Sequence, residues 1–478
     1  MALRVLQLGA IAVVLVATVH HSFDLDRFLV PKELVLHVTA LIAGAFTWRT
    51  RTTRVDLFIL GFLALSAIAV VFATNPWLGV RALAVSVSAY LIYRAARTVP
   101  AEPLLNALAL AVVLASVTAL LQTYGVWLDI FTDNRAPGGT LGNRNFIGHA
   151  AAFGLPVVLL AALRGSRLAP FGVGIVAAAL VLTRSRAAWV AAAVVMAIFI
   201  VGMIWRARMW RRLGFVALFA IGGIAAAILI PNTLRWRSDN PYLDSVRGVT
   251  SYEEGSGRGR LVQYQRSLRM AAAHPLLGVG PGNWPVDYPE YAARYDPSLD
   301  NNEAGMTTNP WPSSDWIGFI SERGFAAAIL LAIAMILIAF NRSEDALTDI
   351  TRFATVAGAT ATGALDAVLL LAAPALIVWA TLGALTTRHP PTANRQPAIA
   401  LLLLLALIGT IRSASQITAI EVSKTNITAA AKIDPANYRL RMRLARGGKR
   451  KARCEHARAA HALFPQAAEA RRLAKGCD

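Results

Sequence analysis

The stretch NPWPSSDWIGFISERG, residues 309–324, is the key to how this chain is organised. It closes a long polar segment, Pro231–Gly324, and leads directly into an apolar run. The sequence on either side of the polar segment has the length and hydrophobicity of membrane-spanning helices. This segment is therefore the one long stretch between spans with room for a sizeable site outside the bilayer.

The composition is that of a polytopic membrane protein. Of the 478 residues, 56% are hydrophobic and 15% are charged, and the mean hydropathy is +0.52. Backbone groups in lipid must be hydrogen-bonded within the protein, so we predict an all-α fold of transmembrane helices. The net charge of +20 does not indicate nucleic-acid binding, because much of it lies in short loops beside spans.

Hydropathy predicts a transmembrane domain at 1–420 with 12 or 13 spans and a basic helical tail at 421–478. The stretch 352–387 is long for one span and short for two, and Gly363, Asp366 and Pro374 interrupt it. We favour a hairpin of two helices, which gives 13 spans; one tilted helix would give 12. The other predicted spans lie at about 3–20, 29–47, 55–74, 78–95, 102–122, 146–163, 168–184, 186–205, 212–231, 315–340 and 397–415.

The distribution of lysine and arginine predicts the orientation. Positive charges favour cytoplasmic loops, and WRARMWRR (205–212) is the most basic short loop. Alternation then places 16 basic residues of the N-terminus and short loops on that face and seven on the other. We therefore predict a multi-pass protein of the bacterial inner membrane with a cytoplasmic N-terminus. The large loop, at about 232–314, would be periplasmic.

The tail gives conflicting signals about its side of the membrane. It has 14 Lys/Arg against five Asp/Glu, which favours the cytoplasm, whereas 13 spans place it outside; we favour outside. Its short amphipathic helices resemble a tetratricopeptide-type repeat and suggest a site for a protein partner. If the last two helices fold back on each other, Cys454 and Cys477 meet and form a disulfide in an oxidising compartment. Two unpaired thiols are the alternative.

Three arginine-bearing segments face the predicted periplasm. In DNRAPGGTLGNRNFIG (133–148), Asn143 and Arg144 precede a helix after a glycine-rich turn with free backbone N–H groups, which favours an anion; an ordinary capped helix is the alternative. In LTRSRAAWV (182–190), Arg184 and Arg186 occupy a minimal turn between spans. They are either functional or interfacial anchors.

The third segment is GSGRGRLVQYQRSLRMAAAHPLLGVGPGNW, residues 255–284. Arg258 and Arg260 follow Gly-Ser-Gly at a predicted helix start, where an anion is favoured. His274 stands beside a proline, and a structural role is the stronger interpretation. Several guanidinium groups on one face could clamp a pyrophosphate, and loop aromatics such as Trp311 suit a sugar ring or an interfacial belt. The sequence predicts no cofactor and no metal site.

Four of these motifs resemble the bacterial O-antigen ligase and O-antigen polymerase superfamily, over roughly residues 130–390. They are GNRNFIG opening a span, LTRSRAAW between spans, RLVQYQRSLRMAAAHPLLGVGPGNW early in the loop, and SSDWIGFISERG entering the next span. The resemblance implies a metal-independent membrane glycosyltransferase. Such an enzyme moves a glycan from a polyprenyl-diphosphate-linked donor to a lipid, glycan or protein acceptor. It also implies that Arg186 and Arg260 contact the pyrophosphate.

The chain departs from the family at the residue expected to activate the acceptor. The family's closing motif has His-Asn before Asp-Tyr-Leu, and here Ser313-Ser314 fill the His-Asn positions. A serine hydroxyl is not a base at neutral pH. Asp315 could serve as the base, His274 could supply it, or the protein could bind lipid-linked glycan without this chemistry. Asp315 could instead cap the next helix. Glu322 occupies the position of the family's Glu, and we expect it either to bind substrate or to pair with an arginine.

Two functions of different classes follow. The first is an enzyme that transfers a glycan from a lipid diphosphate. The second is a non-catalytic scaffold that binds the same lipid and recruits partners through its tail. An ion-coupled transporter is less favoured, because the sequence has no internal repeat.

Overall fold

The computed structural model describes residues 1–18, 26–236, 238–248, 255–386, 396–447 and 449–477. The predicted all-α fold is confirmed: the regular elements in these residues are helices, with one isolated β-bridge between Leu299 and Thr307. The α-helices are α1 (Ala2–Leu15), α2 (Asp26–Gly44), α3 (Arg54–Val71), α4 (Pro76–Ala96), α5 (Ala101–Thr123), α6 (Arg144–Leu163), α7 (Ala169–Thr183), α8 (Arg186–Trp205), α9 (Trp210–Leu229), α10 (Pro241–Arg247), α11 (Gly255–Ala273), α12 (Trp284–Tyr291), α13 (Asp315–Ala339), α14 (Ala346–Leu365), α15 (Ala372–Ala384), α16 (Ala398–Val422), α17 (Ile427–Ile433), α18 (Tyr438–Arg446), α19 (Arg450–Leu463) and α20 (Ala468–Lys475).

Nine helices within the described residues are long and apolar enough to cross a membrane. Three further apolar helices, α1, α7 and α15, are shorter. The stretch 352–387 contains two helices rather than one, as predicted: α14 ends at Leu365 and α15 begins at Ala372. Asp366 separates them in an extended conformation, with φ −156° and ψ 164°. The chain is a multi-pass helical membrane protein.

The chain divides into two compact units, and the first comprises Met1–Asp56, Val87–Thr250 and Ile333–Leu407. Small residues let its helices approach closely: a Cβ added to Gly223 of α9 would lie 2.1 Å from the carbonyl oxygen of Gly174 in α7. The unit also buries Asp56, whose carboxylate accepts hydrogen bonds from Arg97 at 2.8 and 2.9 Å. Pairing of this kind is what makes a buried charge tolerable.

The second unit comprises Leu57–Ser86, Ser251–Ala332 and Ile408–Asp478. Its central feature is a break in α13 at Gly324, where φ is 79° and ψ is 168°. The break leaves the carbonyls of Ser321 and Glu322 without helical donors, and the N–H groups of Val279 and Gly280 donate to them at 3.0 and 2.9 Å. The glycine-rich end of the third arginine segment is therefore hydrogen-bonded to the closing stretch SERG.

The tail packs against the large loop. The buried residues Tyr438, Met442 and Leu463 form a cluster with the loop's Met306. The N–H of Ala468 donates to the carbonyl of Ala304 at 2.8 Å. The tail is therefore in direct contact with the C-terminal part of the loop.

A disulfide joins the last two helices of the tail. Cys454 of α19 and Cys477, just after α20, are bonded to each other, with a sequence separation of 23 residues. Of the two interpretations of the cysteines, the structure supports the disulfide.

Candidate functional site

Three arginines of the first unit come together at the turn between α7 and α8. Arg184 occupies this turn in the left-handed conformation, with φ 51°, and its Nε donates to the Ser245 hydroxyl at 2.8 Å. Arg186 donates from Nη1 to the carbonyl oxygen of Gly248. Both side chains thus contact the first part of the large loop.

Arg144, at the start of α6, joins them through Trp236. The guanidinium carbons of Arg144 and Arg184 lie 5.3 and 4.6 Å from the centroid of the Trp236 ring. Close helix packing makes this possible, because a Cβ added to Gly148 of α6 would lie 2.9 Å from Cβ of Ser185. The cation–π contacts hold two like charges over one aromatic ring.

These residues form a cluster with excess positive charge, here called the arginine cluster and defined as Arg135, Arg144, Arg184 and Arg186. Arg135 and Arg184 both interact electrostatically with Arg144. Burial lowers the pKa of Arg184 and neighbouring Arg186 lowers it further, whereas Asp244 opposes the change. Burial and repulsion between like charges both disfavour the charged state, and a bound anion would relieve them.

The glycine-rich turn before α6 does not offer the free amides that we expected. The N–H groups of Gly138 and Gly139 both donate to the side-chain oxygen of Gln122 at 2.8 Å. Asn143 caps α6 by accepting from the N–H of Asn145 at 3.0 Å. The expectation of free backbone donors is wrong here because a glutamine on α5 satisfies them. Arg144, through its side chain, is what this segment brings to the arginine cluster.

Two basic residues of α2 hold this turn from its other side. Lys32 Nζ donates to the carbonyl of Thr140 at 2.7 Å, and Arg27 donates to the carbonyls of Ile130 and Phe131 at 2.7 and 2.9 Å. Both side chains are buried, at 3% and 2% exposure. Their contacts fix the backbone that leads to Arg144.

In the second unit, the backbone of Ser313 is hydrogen-bonded to two side chains of α11. Its N–H donates to Gln263 Oε1 at 2.5 Å, and its carbonyl accepts from the Tyr264 hydroxyl at 2.7 Å. Arg260 lies three and four residues before these partners on α11, so it is on the same helix face. The structure therefore places Arg260 on the face of α11 that binds the Ser313 segment.

Asp315 is the first residue of α13 and is buried, at 4% exposure. Arg323, buried on the same helix, interacts with it electrostatically. Arg323 also lies over the rings of Phe62 and Phe319, at 5.4 and 5.1 Å from their centroids. The Asp315 carboxyl therefore stands in a largely dry environment with a cation nearby.

Glu322 connects the closing motif to the glycine-rich turn. Its Oε2 accepts from the N–H of Gly282 at 2.9 Å, and its Oε1 accepts from the N–H of Trp284 at 3.2 Å. The Arg323 guanidinium is 3.9 Å from Oε2. Both oxygens thus bind the backbone at the start of α12, which gives Glu322 an evident positioning role.

The other residues singled out from the sequence are more exposed. Arg258 is exposed on the first turn of α11, and Trp311 is half-buried. His274 is exposed, and its Nε2 lies 3.1 Å from the Tyr291 hydroxyl. The turn between α11 and α12 brings His274 and Tyr291 together. The sequence did not predict this contact.

An acidic residue that sequence reasoning missed lies on α12. Asp287 Oδ1 accepts from the Thr74 hydroxyl at 3.0 Å, and Oδ2 is buried without a hydrogen-bond partner among the described residues. Burial raises the pKa of Asp287 to about 6, and the neighbouring Glu290 adds to this. Trp236, Ser245 and Gly248 were also missed as partners of the arginines. No motif or spacing in the sequence links these three residues to the arginines, and residue type was the one feature that could have suggested them.

Among the described residues, no group of three or more His, Cys, Asp or Glu side chains is arranged to hold a metal ion. A comparison with protein-family models matches residues 171–332 to a family described as O-antigen ligase. The matched region runs from α7 into α13 and contains three of the four motifs that resemble the superfamily; GNRNFIG, at the start of α6, lies outside it. A comparison with curated proteins gives no match.

Proposed function

We propose that the protein transfers a glycan from a polyprenyl-diphosphate-linked donor to a lipid or glycan acceptor, because residues 171–332 match a family described as O-antigen ligase. The observation that carries the proposal is the arginine cluster. Guanidinium groups bind phosphate oxygens in a bidentate manner and stay charged where lysine would not. A cluster with excess positive charge, inside the matched family region at Arg184 and Arg186, suits a diphosphate.

In the proposed reaction the diphosphate is the leaving group. The acceptor hydroxyl oxygen attacks the anomeric carbon of the donor sugar, and the bond from that carbon to the diphosphate oxygen breaks. The polyprenyl diphosphate leaves with the electron pair, and Arg186, with Arg260 as the family resemblance implies, stabilises the charge that develops on it. This needs no metal, because arginines supply the positive charge.

The proton of the acceptor hydroxyl goes to a base, for which we propose the Asp315 carboxylate. Ser313 occupies the position where the family has a histidine, and a serine cannot accept that proton. Asp315 is two residues further on, and its carboxylate is buried and shielded from bulk water. His274 is the alternative base, from the opposite end of α11.

The remaining assignments follow from side-chain chemistry and the resemblance. Arg144, Arg184 and Arg258 are proposed to bind donor phosphate, with Asn143 fixing the helix start that carries Arg144. Trp311 is proposed to bind a sugar ring, and Glu322 to hold the glycine-rich turn in position. We propose that the protein resides in the bacterial inner membrane with the loop and tail in the periplasm. A periplasmic tail agrees with the disulfide, since that compartment is oxidising.

The test uses a strain lacking the gene, complemented with variants of the full-length protein. Arg260→Ala and Arg186→Ala should each abolish the mature polymer and cause the lipid-linked glycan to accumulate. Asp315→Asn should reduce transfer by about 100-fold or more, the usual size of general-base catalysis. Arg269→Ala, which alters an exposed arginine on the same helix α11, is the matched control and should leave the polymer unchanged. Full activity in Asp315→Asn with loss in Arg260→Ala would remove the base assignment.

A second candidate function is a scaffold that binds lipid-linked glycan without transferring it. The observation that favours it is Ser313, because the residue expected to activate the acceptor is missing. An unchanged glycan profile on deletion of the gene would support the scaffold and contradict the enzyme.

A further inference from the structure

Trp236, beside the arginine cluster, has a polar group with no partner in the part of the chain that the structure describes. The indole N–H of Trp236 is buried and has no hydrogen-bond acceptor among the residues that the structure describes. Buried donors in folded proteins are nearly always paired, and an exception needs a specific explanation. A missing acceptor within a cluster of arginines points to a ligand that supplies it.

Two other indole N–H groups, one partly buried and one buried, have ordinary hydrogen-bond partners. Trp189, on α8 in the same unit, donates to the carbonyl of Leu180 at 2.7 Å. Trp284 of α12 donates to the Ser267 hydroxyl at 2.9 Å. The fold therefore can satisfy buried indoles, and Trp236 is an exception at the place where Arg144 and Arg184 lie over its ring.

The electrostatics of the ring select an anion. An aromatic ring has a negative face and a positive edge, and cations are attracted to the face. With two guanidinium groups over the ring, the N–H edge becomes the place where negative charge is most favourable. The surrounding arginine cluster has four positive charges, and Asp244 is the acidic neighbour of Arg184. A neutral sugar hydroxyl would accept the hydrogen bond but would not balance this charge.

We propose that the Trp236 N–H donates a hydrogen bond to a phosphate oxygen and so forms, with Arg144 and Arg184, a binding subsite for the donor's diphosphate. The inference rests on the proposed function and deepens it by naming a specificity-determining residue outside the four recognised motifs. Phosphate oxygens reach a membrane protein from two sources, a polyprenyl diphosphate and a phospholipid headgroup. We assign the subsite to the first.

The experiment compares two tryptophan-to-phenylalanine variants of the full-length protein in nanodiscs. Trp236→Phe keeps an aromatic ring under Arg144 and Arg184 but removes the indole N–H that has no acceptor among the described residues. Trp189→Phe removes a donor that already has a partner. Binding is measured for undecaprenyl diphosphate, for undecaprenol, which lacks phosphate, and for added phosphatidylglycerol. Thermal unfolding is measured for each variant without ligand.

We expect each variant to change a different property, ligand binding in one and thermal stability in the other. Trp236→Phe should weaken undecaprenyl diphosphate binding by about 10-fold or more, since a hydrogen bond to a charged group is lost. It should leave the thermal midpoint, undecaprenol binding and phosphatidylglycerol binding unchanged. Trp189→Phe should lower the thermal midpoint, because the Leu180 carbonyl loses one of its two side-chain donors and keeps the Thr183 hydroxyl. It should leave diphosphate binding unchanged.

Three results would overturn the assignment. Wild-type affinity in Trp236→Phe removes the subsite, and an equal loss for phosphatidylglycerol assigns it to phospholipid headgroups. A loss that extends to undecaprenol shows a general packing effect. Failure of the proposed function is distinguishable: the wild-type protein would then not bind undecaprenyl diphosphate, or Arg186→Ala would bind it as well as wild type.

Discussion

Replacement of Gly324 by alanine tests the most specific feature of the fold, the break in α13. Gly324 has φ 79° and ψ 168°, a region that residues with a side chain rarely enter. An added Cβ would also lie 2.2 Å from the carbonyl oxygen of Leu276 and 2.5 Å from its carbon, both of them backbone atoms. The substituted chain must therefore either bear the strain or move the turn away from the helix.

Both outcomes are costly. Forcing an alanine into this backbone region costs about 1–3 kcal/mol. Moving the turn away breaks the hydrogen bonds from Val279 to Ser321, from Gly280 to Glu322 and from Phe325 to Pro275, at about 1 kcal/mol each. We expect Gly324→Ala to lower the free energy of unfolding by about 1–3 kcal/mol, the cost of the cheaper alternative. It should also reduce glycan transfer, since Asp315 and Arg323 lie on the same broken helix.

The assay is equilibrium unfolding in mixed micelles, followed by helical circular dichroism, beside the polymer readout in cells. Gly222→Ala is the matched control: it lies in the middle of α9, and nothing stands within 4 Å of an added Cβ. Alanine there should be neutral or stabilise by up to about 1 kcal/mol, since glycine is a poor helix former. A Gly324→Ala protein within about 1 kcal/mol of wild type would refute the account of the break.

Two further predictions concern the second unit. Asp287 has a pKa raised by burial to about 6, so the folded protein loses stability as pH rises from about 4 to 6 and bears the full penalty above that. Asp287→Asn, which keeps an acceptor for Thr74, should therefore raise the thermal midpoint at pH 8, by the equivalent of up to about 3 kcal/mol, and the gain should vanish near pH 4; a pH-independent gain would contradict this. Replacing Cys454 and Cys477 with serine should destabilise the tail by about 3 kcal/mol, because their bond closes a loop with a separation of 23 residues. Limited proteolysis should then cut the tail faster than in wild type, and unchanged cleavage would show that packing against the loop is sufficient.

Much of the architecture could be predicted because membrane insertion depends on local sequence. A span needs about 20 consecutive apolar residues. The average hydropathy of such a run can be calculated from a single sequence. The span predicted at 186–205 coincides with α8, and the stretch interrupted by Gly363, Asp366 and Pro374 is divided into α14 and α15. The candidate arginines could be named for the same reason, because an arginine between two apolar runs is locally conspicuous.

The partners of those arginines could not be predicted in the same way. Arg144 and Arg184 share Trp236 through contacts that span many positions along the chain. The amides of Gly138 and Gly139 bind Gln122, so the expected backbone site is already satisfied. Such pairings depend on which helix faces meet, and no periodicity or spacing in the sequence encodes them.

The sequence by itself determined the fold class, the helical spans and the long polar segment that ends at Gly324. Hydrophobicity and charge act locally, and the requirement for satisfied backbone groups in lipid leaves helices as the solution. Only the tertiary structure decided how that segment is used. It placed the tail against the loop residues Ala304 and Met306, and it bonded Gly280 to the broken helix at Glu322. Those outcomes depend on long-range packing and on donors left unpaired at a helix break, which appear only when the chain is folded.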